Sequence, residues 1–354
     1  MKSRSRLCYL TVAVVLLPPA VAQAVSIDMV TVRNPGNAPD TRYNSISVGA
    51  VPYTYQIGKF EVTAGQYAAF LNAVAANDTY GLYNTSMDSD SFGCQITRHG
   101  VSGSYTYDFS GRPSGTESDW VSRPVNLVSW GDAARFANWL SNGQPTGILT
   151  GNPALDAGIT EDASYFLNGA TSASALMAVT RKPNATWVIP TEDEWYKAAY
   201  YDPSKPGGAG YWDYPTKSNT APINTLLSPD PGKHANFYDA YGTGNGSYTI
   251  GSPYYRTPVG AFANSASAYG TFDQGGNEWE WNEANISGFR ALRGGSFDNY
   301  SDNLHASYRY NIGNPTNENV NIGFRAAFVP EPSGLLMLLG IAVTALLYWW
   351  RRHA

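Results

Sequence analysis

Apolar and polar positions repeat with a helical period in only three places along the chain. Thr63 and Gln66 stand in the spacing of a capping box, and Tyr67, Phe70, Leu71 and Val74 follow at i, i+3, i+4 and i+7. Ser129 with Asp132 has the same spacing ahead of Ala133, Phe136, Ala137 and Leu140, which share one face. Thr191 with Glu194 opens a third helix just after Pro190, and Asp193 with Lys197 adds an i, i+4 ion pair. Each predicted helix is short and amphipathic, so each needs a surface to pack on. The other ordered segments read as short strands, at 53–60, 187–189, 271–272, 291–293 and 323–329. Two stretches, 77–120 and 141–184, read as long loops with room for a local hairpin or a short helix. No period of about 20 to 50 residues recurs, which argues against a solenoid or a propeller. Few helices, short strands and long connections predict an α+β fold.

Composition sharpens this picture. Of 354 residues, 48 are aromatic and 57 are Gly or Pro, while only 14% are charged. Such a chain buries rings and makes turns, which excludes intrinsic disorder. The net charge of −5 offers no basic footprint, so nucleic acid is not an expected partner.

Both ends read as export signals. Lys2, Arg4 and Arg6, an apolar run from Leu7 to Leu17 and Ala22-Gln23-Ala24 have the three-part form of a secretory signal peptide over 1–24. Cys8 would leave with it. At the other end Pro330-Glu331-Pro332 precedes an apolar stretch of about the length needed to span a bilayer, then Arg351-Arg352. This order resembles the PEP-CTERM sorting signal of Gram-negative bacteria that make exopolysaccharide. The resemblance implies an exosortase as processing partner, a transient hold in the inner membrane and a final place in the envelope, on the cell surface or in the extracellular matrix. Without 1–24 and 330–354 the core, 25–329, carries 18 basic and 27 acidic residues, a net of −9. That balance suits divalent cations better than anionic partners.

Within the core, six segments in order carry a second resemblance. They are Ile57-Gly58-Lys59-Phe60-Glu61-Val62-Thr63, Arg123-Pro124-Val125-Asn126, Ile189-Pro190-Thr191-Glu192-Asp193-Glu194-Trp195, Gly275-Gly276-Asn277-Glu278-Trp279-Glu280-Trp281, Arg293-Gly294-Gly295-Ser296-Phe297 and Asn321-Ile322-Gly323-Phe324-Arg325. Together they resemble the formylglycine-generating enzyme (sulfatase-modifying factor) family from about residue 48 to 328. The resemblance implies one loop-rich domain, a variant of the C-type lectin-like fold. Read as residues, Trp130, Trp195, Trp279 and Trp281 are core anchors. Arg293 and Arg325 brace loops through forked hydrogen bonds.

The family resemblance also implies a structural calcium ion. Its ligands here would be the carboxylates of Asp273 and Glu280 and the backbone carbonyls of Gly276 and Glu278, hard oxygen donors of the kind Ca²⁺ takes. A second ion would use Asn236 and Phe237, with Asp239 as a stand-in for an acidic ligand that is not at the expected spacing. The family's catalytic chemistry needs two cysteines soon after Gly-Gly-Ser, as thiolate ligands for copper. In this chain the first such position holds Asn299 and the second falls near Leu304 or Ser307, with no cysteine in the stretch. Formylglycine synthesis by that route is therefore not expected, and neither copper nor iron is. His99, His234 and His305 lie on separate segments, and Cys94 stands alone in a polar loop.

Two classes of function follow. One is a calcium-stabilised binding module with no catalytic residues, whose ligand face includes Asn299, Tyr300, His305, Tyr308 and Tyr310, and whose ligand is an exopolysaccharide or another envelope component. Tyr, Ser and Asn make adaptable contact surfaces. The other is a metal-dependent oxidoreductase of unidentified substrate that keeps the family pocket.

Overall fold

The computed structural model describes residues 24–43 and 47–330. The signal segment 1–23, Glu331, Pro332 and the apolar tail lie outside the described residues, so the expected export signals and membrane helix do too.

The three helices read from the sequence form as their caps dictate. In α1 (Ala64–Val74) the Thr63 hydroxyl accepts from the Gln66 amide at 3.2 Å, and the Gln66 side chain accepts from the Thr63 amide at 2.8 Å. Four more short helices appear in or beside the two long connections: α2 (Ser86–Ser89), α3 (Glu117–Val121), α5 (Pro153–Asp156) and α6 (Ala173–Ala178). The other two helices read from the sequence, α4 (Trp130–Ser141) and α7 (Glu192–Tyr200), carry full capping boxes as well. Phe70 and Tyr67 of α1 meet Phe136 of α4 at 5.4 and 6.2 Å between ring centroids, and Phe324 closes on Phe136 at 5.4 Å. These rings are the centre of the core.

Among the described residues, twelve short strands complete the architecture. In the first sheet β1 (Met29–Val32), β2 (Tyr55–Gly58), β12 (Ala327–Phe328) and β5 (Trp187–Val188) lie in that order, all antiparallel. In the second, β10 (Tyr310–Gly313), β9 (Phe289–Arg293), β8 (Trp279–Ile286) and β11 (Ile322–Gly323) lie in order, with β11 parallel to β8. Two hairpins stand apart: β3 (Thr97–His99) with β4 (Thr106–Asp108), and β6 (Tyr201–Asp202) with β7 (Gly210–Tyr211).

Four expectations need correction. Asp193 and Lys197 do not pair, because Asp193 accepts the Gly49 amide at 2.7 Å and Lys197 donates to the Asn34 carbonyl at 2.8 Å. Residues 271–272 form no strand, because Ser267 and Thr271 close a turn on each other and Thr271 donates to Gln274 at 2.5 Å. Cys94 is not in an open polar loop but is 1% exposed within the core, and burial raises its thiol pKa. The longest strand, β8, lies where the sequence suggested chiefly a metal-binding turn. Its first four residues are buried on both faces, so it lacks the alternation that marks a half-exposed strand.

The 141–184 connection is held by charge as well as by packing. Arg135 of α4, 1% exposed, sends its fork to Glu161 at 2.7 and 3.1 Å and a third bond to the Ala170 carbonyl. Removing one partner of such a buried pair typically costs about 3–5 kcal/mol. Arg135→Ala is thus expected to lower the unfolding free energy by about that amount in urea titrations, whereas substitution of the exposed Arg33 should change it little.

A second cluster predicts pH dependence. Burial pushes the Glu318 carboxyl up to about 7, helped by Asp132 beside it, and burial pushes Asp132 and Asp78 each up to about 6. Arg98, 3.1 Å from Asp78, and Arg135 are the opposing cations. A raised carboxyl pKa stabilises the fold at low pH, and that contribution fades as pH rises through the folded value. The melting temperature should accordingly fall between pH 5 and 8, and Glu318→Gln should flatten the fall, as followed by circular dichroism.

Candidate functional site

The turn that leads into β8 is where the sequence places its chemistry. Asp273 and Asn277 have φ of 61° and 65°, in the left-handed region that Asp and Asn tolerate better than most residues. Gly276 is there for a steric reason. At φ 91° a Cβ on it would lie 2.1 Å from the Asn236 carbonyl oxygen, which the Asn277 amide needs at 2.8 Å. The Asn277 side chain then accepts from Asn236 Nδ2 at 2.9 Å and from the Thr257 amide at 3.0 Å. Three segments are thereby locked around residues 273–280.

Beneath the turn sits a buried charge cluster. Glu280 is 0% exposed and takes the Arg325 fork, Nε to Oε2 at 2.5 Å and Nη2 to Oε1 at 2.6 Å. Trp195 Nε1 adds a bond to Oε2 at 2.7 Å. Arg325 also donates to the carbonyls of Gly58 and Phe272, so it braces loops as its sequence context predicts. Asp273 Oδ2 accepts the Gly260 amide at 2.6 Å. Glu61, 2% exposed, faces the same cluster with neither carboxylate oxygen hydrogen-bonded. Burial and the carboxylates of Asp273 and Glu280 raise its pKa far above the usual range, and burial lifts Asp273 to about 6. Sequence reasoning placed Glu61 only within a family motif. The signal for its role, a carboxylate brought next to Asp273 and Glu280, exists only in three dimensions.

The four expected ligands of a cation at this turn fit one in part. Among the described residues the carbonyls of Gly276 and Glu278 accept no hydrogen bond, and Asp273 keeps one carboxylate oxygen free. Glu280 is more committed, with three of about four lone-pair sites used and one left on Oε1. Three carboxyl groups, Glu61, Asp273 and Glu280, share one guanidinium, an acidic surplus that a cation would offset. No group of three or more His, Cys, Asp or Glu side chains converges as a metal cage among the described residues, so an ion here would lean on carbonyls. The Glu278 side chain points elsewhere, to Arg256 Nε at 3.2 Å.

The second expected site is differently used. Asp239 gives Oδ2 to the amides of Gly244 and Gly246 at 2.7 and 2.9 Å and Oδ1 to Thr243 at 3.2 Å. Burial opposes ionisation there, but these amides prevail and hold the carboxyl below its usual range. The Phe237 carbonyl already accepts from Asn224 and Thr249, and Asn236 keeps only its Oδ1 unpaired. Asp239 therefore staples its own loop.

The expected ligand face is divided in three. Asn299, in the first position where the family resemblance would put cysteine, accepts from the Ser296 hydroxyl at 2.6 Å. Tyr300 next to it belongs to a graded set of rings. Phe297 and Phe92 lie at the buried end, and Tyr255, Tyr248 and Tyr238 follow at centroid spacings of 4.5 to 5.1 Å. Tyr300 and Tyr241 end the series, 5.8 Å apart and 45% and 60% exposed. Asp302 accepts from the Tyr241 hydroxyl at 3.2 Å. His305 sits apart, edge-on to Tyr43 and Tyr214, with Nδ1 2.8 Å from Ser307 Oγ. Tyr308 and Tyr310 rest on Trp279. Of the two candidates for the second cysteine position, Leu304 is fully buried and Ser307 is the partner of His305. His99 pairs with Asp108 on the outlying hairpin and His234 with Thr225, so the histidines do not meet.

The crystal structure of CarF is similar at 20% identity, covering 87% of this chain and all of that one, with a TM-score of 0.49. Treponema denticola variable protein 1 is similar at 19% identity, over 88% of this chain and 98% of that one, with a TM-score of 0.47. PvdO from Pseudomonas aeruginosa is similar at 18% identity, over 85% and 94%, with a TM-score of 0.44. No curated protein matches the sequence. The sulfatase-modifying factor enzyme 1-like domain matches residues 31–329, nearly the whole core, and with its mixed α+β architecture the chain belongs to that family.

Proposed function

We propose that this protein is a non-catalytic member of its family, an exported binding module of the cell envelope or exopolysaccharide matrix, stabilised by calcium. The observation that carries the reading is the surface at Asn299 and Tyr300. Where the family chemistry calls for a thiol pair there is an amide tied to Ser296 and, at the second position, either the buried Leu304 or Ser307, and beside them stand exposed tyrosines. Tyr241 and Tyr300, with the Asp302 carboxylate between them, suit a hydroxylated ligand that stacks on rings and donates to an acidic acceptor. Glycans of an exopolysaccharide have that chemistry. The acidic core and the Pro330-Glu331-Pro332 segment support export and exosortase processing.

The ligand surface is tested by binding to polysaccharide from an exopolysaccharide-producing bacterium. Tyr241→Ala and Tyr300→Ala should each weaken binding by roughly tenfold, about 1.4 kcal/mol, with unchanged melting temperature. Unaltered binding by both variants would sink this assignment. Purified protein containing stoichiometric copper or iron would instead favour an oxidoreductase in the family pocket.

The bound ion would be held by Asp273, Glu280 and the carbonyls of Gly276 and Glu278, where it supplies charge balance and cross-links the turn to β8. Calcium at millimolar level should raise the melting temperature and EDTA should lower it. Asp273→Asn, which keeps an oxygen donor, should retain most of that response, and Asp273→Ala should lose it. A melting temperature indifferent to calcium and EDTA in the unaltered chain would remove the ion from the proposal.

A further inference from the structure

The tyrosine face beside Asn299 carries charge of one sign only. Its outer rings, Tyr238, Tyr241, Tyr248 and Tyr300, come from the segments 235–250 and 294–304, which hold Asp239, Asp298 and Asp302 but no Lys, Arg or His. Asp239 is spent on the amides of its own loop. Asp298 is half-buried and anchored by Ser296 Oγ at 2.5 Å and Asn321 Nδ2 at 3.1 Å. Asp302 is exposed, and its Oδ2 accepts from the Tyr241 hydroxyl at 3.2 Å. Its Oδ1 meets no donor among the described residues.

These carboxylates set a negative field over the rings. Asp302 raises the pKa of the Tyr241 hydroxyl, and burial with Asp298 nearby raises that of Tyr248, with no cation acting on either. Arg256, behind the inner end of the series, is fully buried and lies 3.2 Å from Glu278. The ring faces act in the same sense. Tyr241 and Tyr300, the most exposed of the series, tilt 58° to one another at 5.8 Å and so leave ring surface open to solvent. Such a surface is the negative pole of the aromatic quadrupole and attracts a cation centred within about 6 Å. An exposed carboxylate attracts the same cation and repels an acidic polymer.

Building on the glycan-binding reading above, on which the assignment rests, we infer that the glycan taken by this face carries free, protonated amino groups, as a polymer of de-N-acetylated hexosamine does. The ammonium lies against the open faces of Tyr241 and Tyr300 with Asp302 Oδ1 as its acceptor, while sugar hydroxyls and ring carbons make the neutral contacts. A fully N-acetylated glycan offers only those neutral contacts, and an acidic one meets like charge.

Calorimetry on the whole exported chain with a glucosamine hexamer, the same hexamer fully N-acetylated, dextran and alginate tests this, at about pH 6, where a sugar ammonium and an exposed aspartate are both charged. The glucosamine hexamer should bind about tenfold more tightly than its acetylated counterpart. Raising the salt from about 0.05 to about 0.5 M should erase most of that difference. Asp302→Asn keeps an oxygen for the Tyr241 hydroxyl, so it should still bind the acetylated hexamer and bring the two affinities within about threefold of each other. Equal affinity for the two hexamers, or a preference for alginate, overturns the proposal while the glycan-binding reading stands. An undiminished preference in Asp302→Asn also overturns it, because the acidic core as a whole, and not this face, then attracts the amine. Binding to none of the four overturns both.

Discussion

The fork between Arg325 and Glu280 is the interaction on which the rest of the molecule depends. Both side chains are fully buried, and they join the segment just before the last strand to the central strand of the second sheet. Trp195 adds α7 through its indole nitrogen, and Arg325 reaches Gly58 at the end of β2. Both sheets and a helix therefore meet at one ion pair. Buried pairs of this kind are weak evidence for net stability, since desolvation offsets much of the attraction. Here the geometry is bidentate, the remaining Arg325 donors go to two backbone carbonyls and Glu280 accepts from the indole, which is the condition under which such a pair fixes one arrangement over its competitors.

Several features cluster around that fork because the fold has little regular structure to hold itself. Short strands supply few ladder bonds, so backbone groups in loops are satisfied one by one by arginine forks and side-chain amides. Arg293 links Glu192 of α7 to the carbonyls of Ala306 and Tyr308, and Asn138 ties the carbonyls of Thr160 and Tyr165. Such polar bracing is specific, and it leaves unpaired groups where it falls short. Glu61 beside the fork and Arg290 at the far end of the same hairpin are two of these. The same architecture thus generates both rigidity and buried polar groups left without a partner.

Much of this was legible in the sequence, and the failures have physical causes. Thr63, Ser129 and Thr191 announced their helices because a capping box is local chemistry between residues three apart. The four tryptophans and the two bracing arginines were legible because their size and charge leave few alternatives in a core of this kind. Strand β1 was missed because Met29–Val32 offers four residues without contrast to their flanks, and β8 because burial on both faces erases alternation. The tyrosine face was only partly visible. Tyr300 was found from its Asn- and Tyr-rich surroundings, but Tyr238, Tyr241 and Tyr248 arrive from about sixty residues earlier, and no local pattern links them to it. His305 and the pair Tyr308 and Tyr310, neighbours in sequence, face different surroundings, Tyr43 and Tyr214 for the histidine and Trp279 for both tyrosines.

Strand β12 has one more consequence. It is two residues long and stands between β2 and β5, not at an edge of the first sheet. Ala327 thus pairs with Ile57 across some 270 positions of sequence, one of the most non-local contacts the chain can make. As the protein is delivered from its N-terminus, β2 and β5 remain unpaired with each other until the final strand arrives to bridge them. The first sheet is therefore a clasp that only the end of the domain can fasten. A chain lacking those last residues would keep its caps and most of its aromatic core but present two open strand edges to its neighbours.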